Sequence, residues 1–173
     1  MILIDALCAG ILALGIGTGG TANNIEYACT HVPQIVETSI RLDLRPEVVI
    51  ALIHYESRWT PTAVSHAGAC GLTQVLPKYT GGRAYPRGTG VPKLTCDQLK
   101  DAKTSINAGM HTLRYWHHRY ARGNELIALC GYNAGFRCKG PNAVPKGVRY
   151  ATRVKRLADK LRRYVDARLS RDN

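Results

Sequence analysis

Residues 56–77 read ESRWTPTAVSHAGACGLTQVLP, and they join two different kinds of backbone. Before them, Pro46-Glu47-Val48-Val49-Ile50-Ala51-Leu52-Ile53-His54-Tyr55 is an apolar run of helical length, with proline where the first helical turn tolerates it. After Glu56, residues 65–71 are small and turn-forming, and residues 73–76 suit the start of a short helix. Glu56 therefore closes a buried helix, with Leu52 and Ile53 a turn behind it and Trp59 just ahead. Apolar surroundings disfavour the charged form of a carboxylate and raise its pKa, which suits a proton donor near neutral pH. The bland alternative for a glutamate at a helix end is plain solvation.

Downstream of Glu56 the next acidic residue is Asp97. A two-carboxylate glycosidase holds its second group roughly 5 Å away as nucleophile, or roughly 6.5 to 9.5 Å away to activate water. Residues 57–96 supply neither. A lone carboxylate needs a nucleophile from elsewhere, and a substrate can carry its own.

At these residues the chain resembles the lytic transglycosylases of the soluble-transglycosylase type, which share the goose-type lysozyme fold. The resemblance rests on Glu56-Ser57, Trp59, Pro61, Ala63, Ser65, Gly68-Ala69-Cys70-Gly71-Leu72-Thr73-Gln74 and Pro77. Further blocks follow in order: Ser105-Ile106-Asn107-Ala108-Gly109 with Leu113, then Gly131-Tyr132-Asn133-Ala134-Gly135, then Arg149-Tyr150-Ala151-Thr152-Arg153-Val154. Thr73 stands where that family often has Met, and the Glu-Thr that usually precedes the last block is absent. Several blocks in family order carry weight that any single one lacks.

The resemblance implies a mostly α, lysozyme-like single domain, with a small loop or hairpin region walling a cleft. It implies cleavage of the β-1,4 bond between N-acetylmuramic acid and N-acetylglucosamine in peptidoglycan. In that chemistry Glu56 is acid and then base, and the muramyl C6 hydroxyl closes a 1,6-anhydro ring. By the same resemblance Ser57, Gln74, Asn133 and Tyr150 orient the sugar or hydrogen-bond Glu56, Ser65 belongs to the substrate-binding set, and Tyr132 lines the cleft. For Tyr132 and Tyr150 the alternative is core packing with a satisfied hydroxyl. A hydrolysing goose-type muramidase is the nearer rival reading, although it needs a base for water. A basic binding or structural component of a virion or envelope complex is a rival from another class.

The chain's 173 residues suffice for one domain with one good core, expected over residues 23–170. Residues 1–22, MILIDALCAGILALGIGTGGTA, are apolar and end in small residues. They suit a secretion signal or a short anchor, yet they lack Lys and Arg and contain Asp5; a buried helix in a larger assembly is the third reading. The net charge of +12 and pI near 9.7 predict an anionic partner: peptidoglycan strands with their peptide carboxylates, wall polymers or a membrane surface, with no specific nucleic acid expected. A phage particle or a conjugation or secretion apparatus would localise so small an enzyme.

Six cysteines, at 8, 29, 70, 96, 130 and 138, show no Cys-x-x-Cys spacing, and His-Glu-x-x-His does not occur. No metal or other cofactor is expected. An even count hints at disulfides, for which Cys29 with Cys96 is one candidate and Cys130 with Cys138 a competing one; Cys130 also suits a buried small hydrophobe.

Asn23 or Asn24 can cap a helix running to about Arg41, with Pro33 as an alternative starting point. Glycines and prolines across residues 78–92 mark an exposed loop or hairpin whose Lys78, Arg83 and Arg87 suit peptide stems. Thr95 and Gln98 have capping-box spacing. A helix is expected over 103–122 with Trp116 in the core, and another from Asn124 to the stop at Gly135. The last helix, 148–169, buries Ala151, Val154, Leu157, Ala158, Leu161 and Val165. Its other face is strongly basic, suited to an anionic surface or simply to solvent.

Overall fold

A computed structural model describes residues 2–18, 24–81 and 91–171. Helices α1 Ile2–Ala13, α2 Ile25–Leu42 and α3 Pro46–Ser57 come first. The single turn α4 Cys96–Leu99 follows a loop region, and α5 Ala102–Arg114 continues into a π-helical turn, Tyr115–Tyr120. Helices α6 Glu125–Ala134 and α7 Pro145–Leu169 complete the order. The expected mostly α class is what the structure shows; among the described residues the only β pairing is two isolated bridges.

Helix α3 is the axis of the molecule. Every residue from Val48 to Ile53 is buried, so it is apolar all round, as a helix enclosed by neighbours must be. Helix α7 packs across α3, α6 and α1, burying Ala151, Val154, Ala158, Leu161 and Val165. It begins at Pro145, three residues before the expected start, because proline at the first position is preorganised for a helix. Buried Glu47 at the start of α3 is held by Arg162 of α7 at 3.3 Å, while Arg45 reaches Glu125 at 3.3 Å and Asp159 at 3.2 Å. A buried carboxylate left unpaired would be strongly destabilising, so this network fixes the register of α3, α6 and α7.

Several expectations are corrected. Cys29 does not pair with Cys96: the disulfides are Cys70–Cys96 and Cys130–Cys138, the second being the competing candidate, so Cys130 is both buried and bridged. Pro33 neither starts nor breaks α2, which runs through it. The carbonyl that proline leaves without its helical donor is that of Cys29, and the Cys8 thiol donates to it at 3.8 Å. Helix α1 places Ala6, Leu7 and Ile11, with Ile16 beyond it, in the same core as α2, α3 and α7. No helix among the described residues is long and apolar enough to cross a membrane. The expected hairpin within 78–92, with Arg83 and Arg87, falls largely on residues 82–90, outside the described residues; Lys78 is exposed.

Candidate active site

The site begins where α3 stops. Arg58 and Trp59 both take left-handed backbone, at φ 50° and 62°, a conformation that costs a residue with a side chain free energy. Complete burial of the Trp59 ring offsets that cost. The segment preceding α2 braces the turn from behind, with the Gly17 N–H donating to His54 Nδ1 at 3.1 Å and Asn24 Nδ2 donating to the Arg58 carbonyl at 3.0 Å. Glu56 is thereby set at the end of an enclosed helix.

Tyr150, in the second turn of α7, donates its hydroxyl to Glu56 Oε1 at 2.5 Å. Burial pushes the Glu56 carboxyl from 4.5 up to about 7, with the Tyr150 hydrogen bond pulling the other way. No second carboxyl group contributes to that balance. Near neutral pH the acid and its conjugate base are therefore comparably populated. Tyr132 donates to the Thr73 carbonyl at 2.7 Å. Burial, and then the charge on Glu56, hold both phenols well above their ordinary value. They stay neutral hydrogen-bond donors.

The loop facing Glu56 is folded back on itself by antiparallel bridges of Cys70 to Val64 and to Val75. Gly71 sits at φ 78°, and a Cβ there would come within 1.8 Å of the Leu99 carbonyl oxygen, so only glycine fits. The Thr73 hydroxyl donates to the Ser105 carbonyl at 2.7 Å, and the Thr73 N–H donates to Ser105 Oγ at 3.2 Å. Gly109, one turn further along α5, leaves room for the Thr73 side chain, which a Cβ would meet at 2.4 Å. The serine and glycine of the Ser105 block thus form the seat under the loop, and Cys70–Cys96 fastens its edge.

The residues singled out in the sequence divide into two groups. Tyr150 meets Glu56 directly, and Gln74, Tyr132 and Asn133 line one cavity of about 280 Å³. Ser57 and Ser65 instead hold backbone: buried Ser57 places Oγ 2.8 Å from the Leu72 carbonyl, and Ser65 Oγ accepts from the Ala69 N–H at 3.0 Å. Gln74 combines both, since its amide nitrogen donates to the carbonyls of Gly71 at 2.9 Å and Ala63 at 3.1 Å. Sequence reasoning missed Thr73 as the acceptor for Tyr132, and Arg137 and Trp116 as further walls of the cavity. Trp116 is nevertheless a core residue, 2% exposed, its ring pressed so closely on Gly131 that a Cβ there would lie 2.4 Å away. The glycine opening the Tyr132 block was the signal for that contact.

Fold and site together define a lysozyme-like helical domain built around the half-buried acid Glu56. Residues 35–146 match the family described as the Transglycosylase SLT domain, and the chain belongs to that family. It is 27% identical over 121 residues to the membrane-bound lytic murein transglycosylase C of Glaesserella parasuis, covering 66% of this chain and 33% of that protein. It is 32% identical over 100 residues to the soluble lytic murein transglycosylase of Salmonella typhimurium, covering 54% of this chain and 14% of that protein. The chain thus spans a third or less of these relatives' lengths. Among solved structures, an inactive mutant of the lytic transglycosylase Slt of Pseudomonas aeruginosa superimposes with a TM-score of 0.67 at 21% identity, covering 83% of this chain and 26% of that one. The 70 kDa soluble lytic transglycosylase of Escherichia coli gives 0.58 at 18% identity, covering 85% and 31%. At these identities the two structures speak to the fold.

Proposed function

We propose that this chain is a peptidoglycan lytic transglycosylase that cleaves the β-1,4 bond between N-acetylmuramic acid and N-acetylglucosamine and leaves a 1,6-anhydro-muramyl end. The observation that carries the reading is Glu56: a single carboxyl, raised to about 7 by burial and held by Tyr150 at 2.5 Å. Protonated Glu56 gives its proton to the glycosidic oxygen, and the bond from that oxygen to the muramyl C1 breaks. The substrate's N-acetyl group stabilises the oxocarbenium-like centre at C1. The Glu56 carboxylate, steadied by the Tyr150 hydroxyl, then takes the proton of the muramyl C6 hydroxyl as that oxygen bonds to C1. Glu56 ends protonated as it began, and no water is consumed.

The cavity lined by Gln74, Tyr132 and Asn133, which Glu56 itself does not line, serves as the sugar site. The wall residue Tyr132, partly exposed, supplies apolar ring surface. The strand is presented by a basic protein: on α7, Arg149, Arg153, Arg156, Lys160 and Arg163 are exposed, which suits an anionic wall or membrane surface. We place this activity in the bacterial cell envelope, with delivery by a phage particle or a conjugation or secretion apparatus. Co-purification with particles or with an envelope complex tests that setting.

Digestion of sacculi by wild type beside Glu56→Gln, followed by mass spectrometry of the released muropeptides, tests the chemistry. Anhydro ends from wild type and none from the variant are expected. Reducing ends would replace this reading by a hydrolysing muramidase, and function surviving in Glu56→Gln would replace it by a binding role.

A further inference from the structure

Among the described residues the cysteines outside the two disulfides are Cys8 and Cys29, and the fold brings them together. Cys8 lies on α1 and Cys29 on α2, and the two helices pack on one another. The Cys8 thiol reaches the Cys29 residue itself, donating to its carbonyl at 3.8 Å. Both residues keep part of their surface accessible, so a small reagent reaches them. We infer that Cys8 and Cys29 are a third disulfide pair, which closes when the folded chain meets an oxidising disulfide donor and ties α1 to α2.

The chemistry is thiol–disulfide exchange with a donor such as oxidised glutathione. Burial and the Cys29 thiol push the Cys8 thiol up to about 12, which makes Cys8 a poor opening nucleophile and leaves it the resolving step. Deprotonated Cys29 bonds to one sulfur of the donor and releases the other as a thiol. Cys8 then gives up its proton, bonds to the Cys29 sulfur and expels the second donor thiol. Two protein thiols are oxidised, and the donor's one disulfide is reduced to two thiols. A tether between α1 and α2 bears on the site, because the turn after α1 holds the end of α3. The Gly17 N–H reaches His54 Nδ1 at 3.1 Å, and Arg58 Nη1 donates to the Thr18 carbonyl at 3.1 Å, on either side of Glu56.

The test is alkylation of the full chain by iodoacetamide under denaturing conditions, after incubation of the folded protein with oxidised glutathione or without it. Intact mass and peptide mapping are then read. The oxidised protein should take up no label and yield a peptide joining Cys8 to Cys29, whereas Cys8→Ser should label at Cys29 alone without the donor and carry one glutathione there after incubation with it. Under oxidising conditions the variant should melt lower than wild type by roughly 5–10 °C. Labelling of both cysteines in oxidised, folded wild type would overturn the assignment, as would mapping of either to a different cysteine. The wild-type measurement stands whether or not the variant folds, and Cys29→Ser, labelling at Cys8 alone, repeats it from the other side.

Discussion

The Tyr150 hydroxyl and the Glu56 carboxylate meet at 2.5 Å although 94 positions separate them in the chain. The bond moderates the acidity of the group that defines the site. Tyr150 lowers the Glu56 pKa against the larger upward effect of burial, so removing the hydroxyl raises it. Tyr150→Phe should move the alkaline limb of the pH–activity profile above its wild-type position near pH 7. It should also reduce turnover roughly 10- to 100-fold, the scale of one hydrogen bond to a charged group. Turbidity loss of sacculi across pH 5 to pH 9 reads both. A limb that stays in place would mean that the phenol does not act on the acid.

The same raised pKa makes Glu56 a cost to folding. Below 4.5 the group is protonated in the folded and unfolded chains alike. Between 4.5 and about 7 the folded chain binds more proton, so stability declines as pH rises through that window, and above about 7 the full penalty is present. Glu56→Gln removes the charge without changing the shape. It should be more stable than wild type at pH 8 by on the order of 2 kcal/mol, and close to it at pH 4. Urea denaturation at the two pH values measures this, and a variant less stable at pH 8 would contradict it.

Ser57 follows Glu56 in sequence, yet its hydroxyl is buried against the carbonyls of Leu72 and Ile53. Ser57→Ala should therefore cost about 1–2 kcal/mol of stability and leave KM near wild type. A large rise in KM at unchanged stability would return Ser57 to the role of a sugar ligand.

Gly71 has neither the space nor the backbone conformation for a side chain. Gly71→Ala should destabilise the protein by roughly 2–4 kcal/mol and lower activity in the surviving folded fraction, because Thr73 and Gln74 move with it. Thermal melts paired with activity per folded molecule separate the two effects.

What the sequence disclosed depended on whether the cause was local. The apolar run from Val48 to Ile53 announced a buried helix, and the turn-forming residues after Glu56 announced a loop, because each is written in neighbouring residues. The capping box at Thr95 and Gln98 formed as its spacing implies, for the same reason. The short-range Cys130–Cys138 pair was among the candidates, but Cys70–Cys96 was not legible: it closes across a loop that Gly71 lets settle on the Leu99 carbonyl. Nor was the passage of α2 through Pro33, whose vacated carbonyl is met by Cys8 from another helix. Ser57 and Ser65 were placed with the substrate by the family resemblance; in space their oxygens are engaged with backbone. The phenol of Tyr150 reaches Glu56 only through the crossing of two helices.

That crossing matters to anyone who cuts the gene. Helix α7 grips α3 at both extremities, Arg162 at Glu47 and Tyr150 at Glu56, whereas the family match ends at residue 146. An expression fragment trimmed to the matched boundary would lose the phenol and the far clamp together, and an inactive product would then report the scissors, not the enzyme.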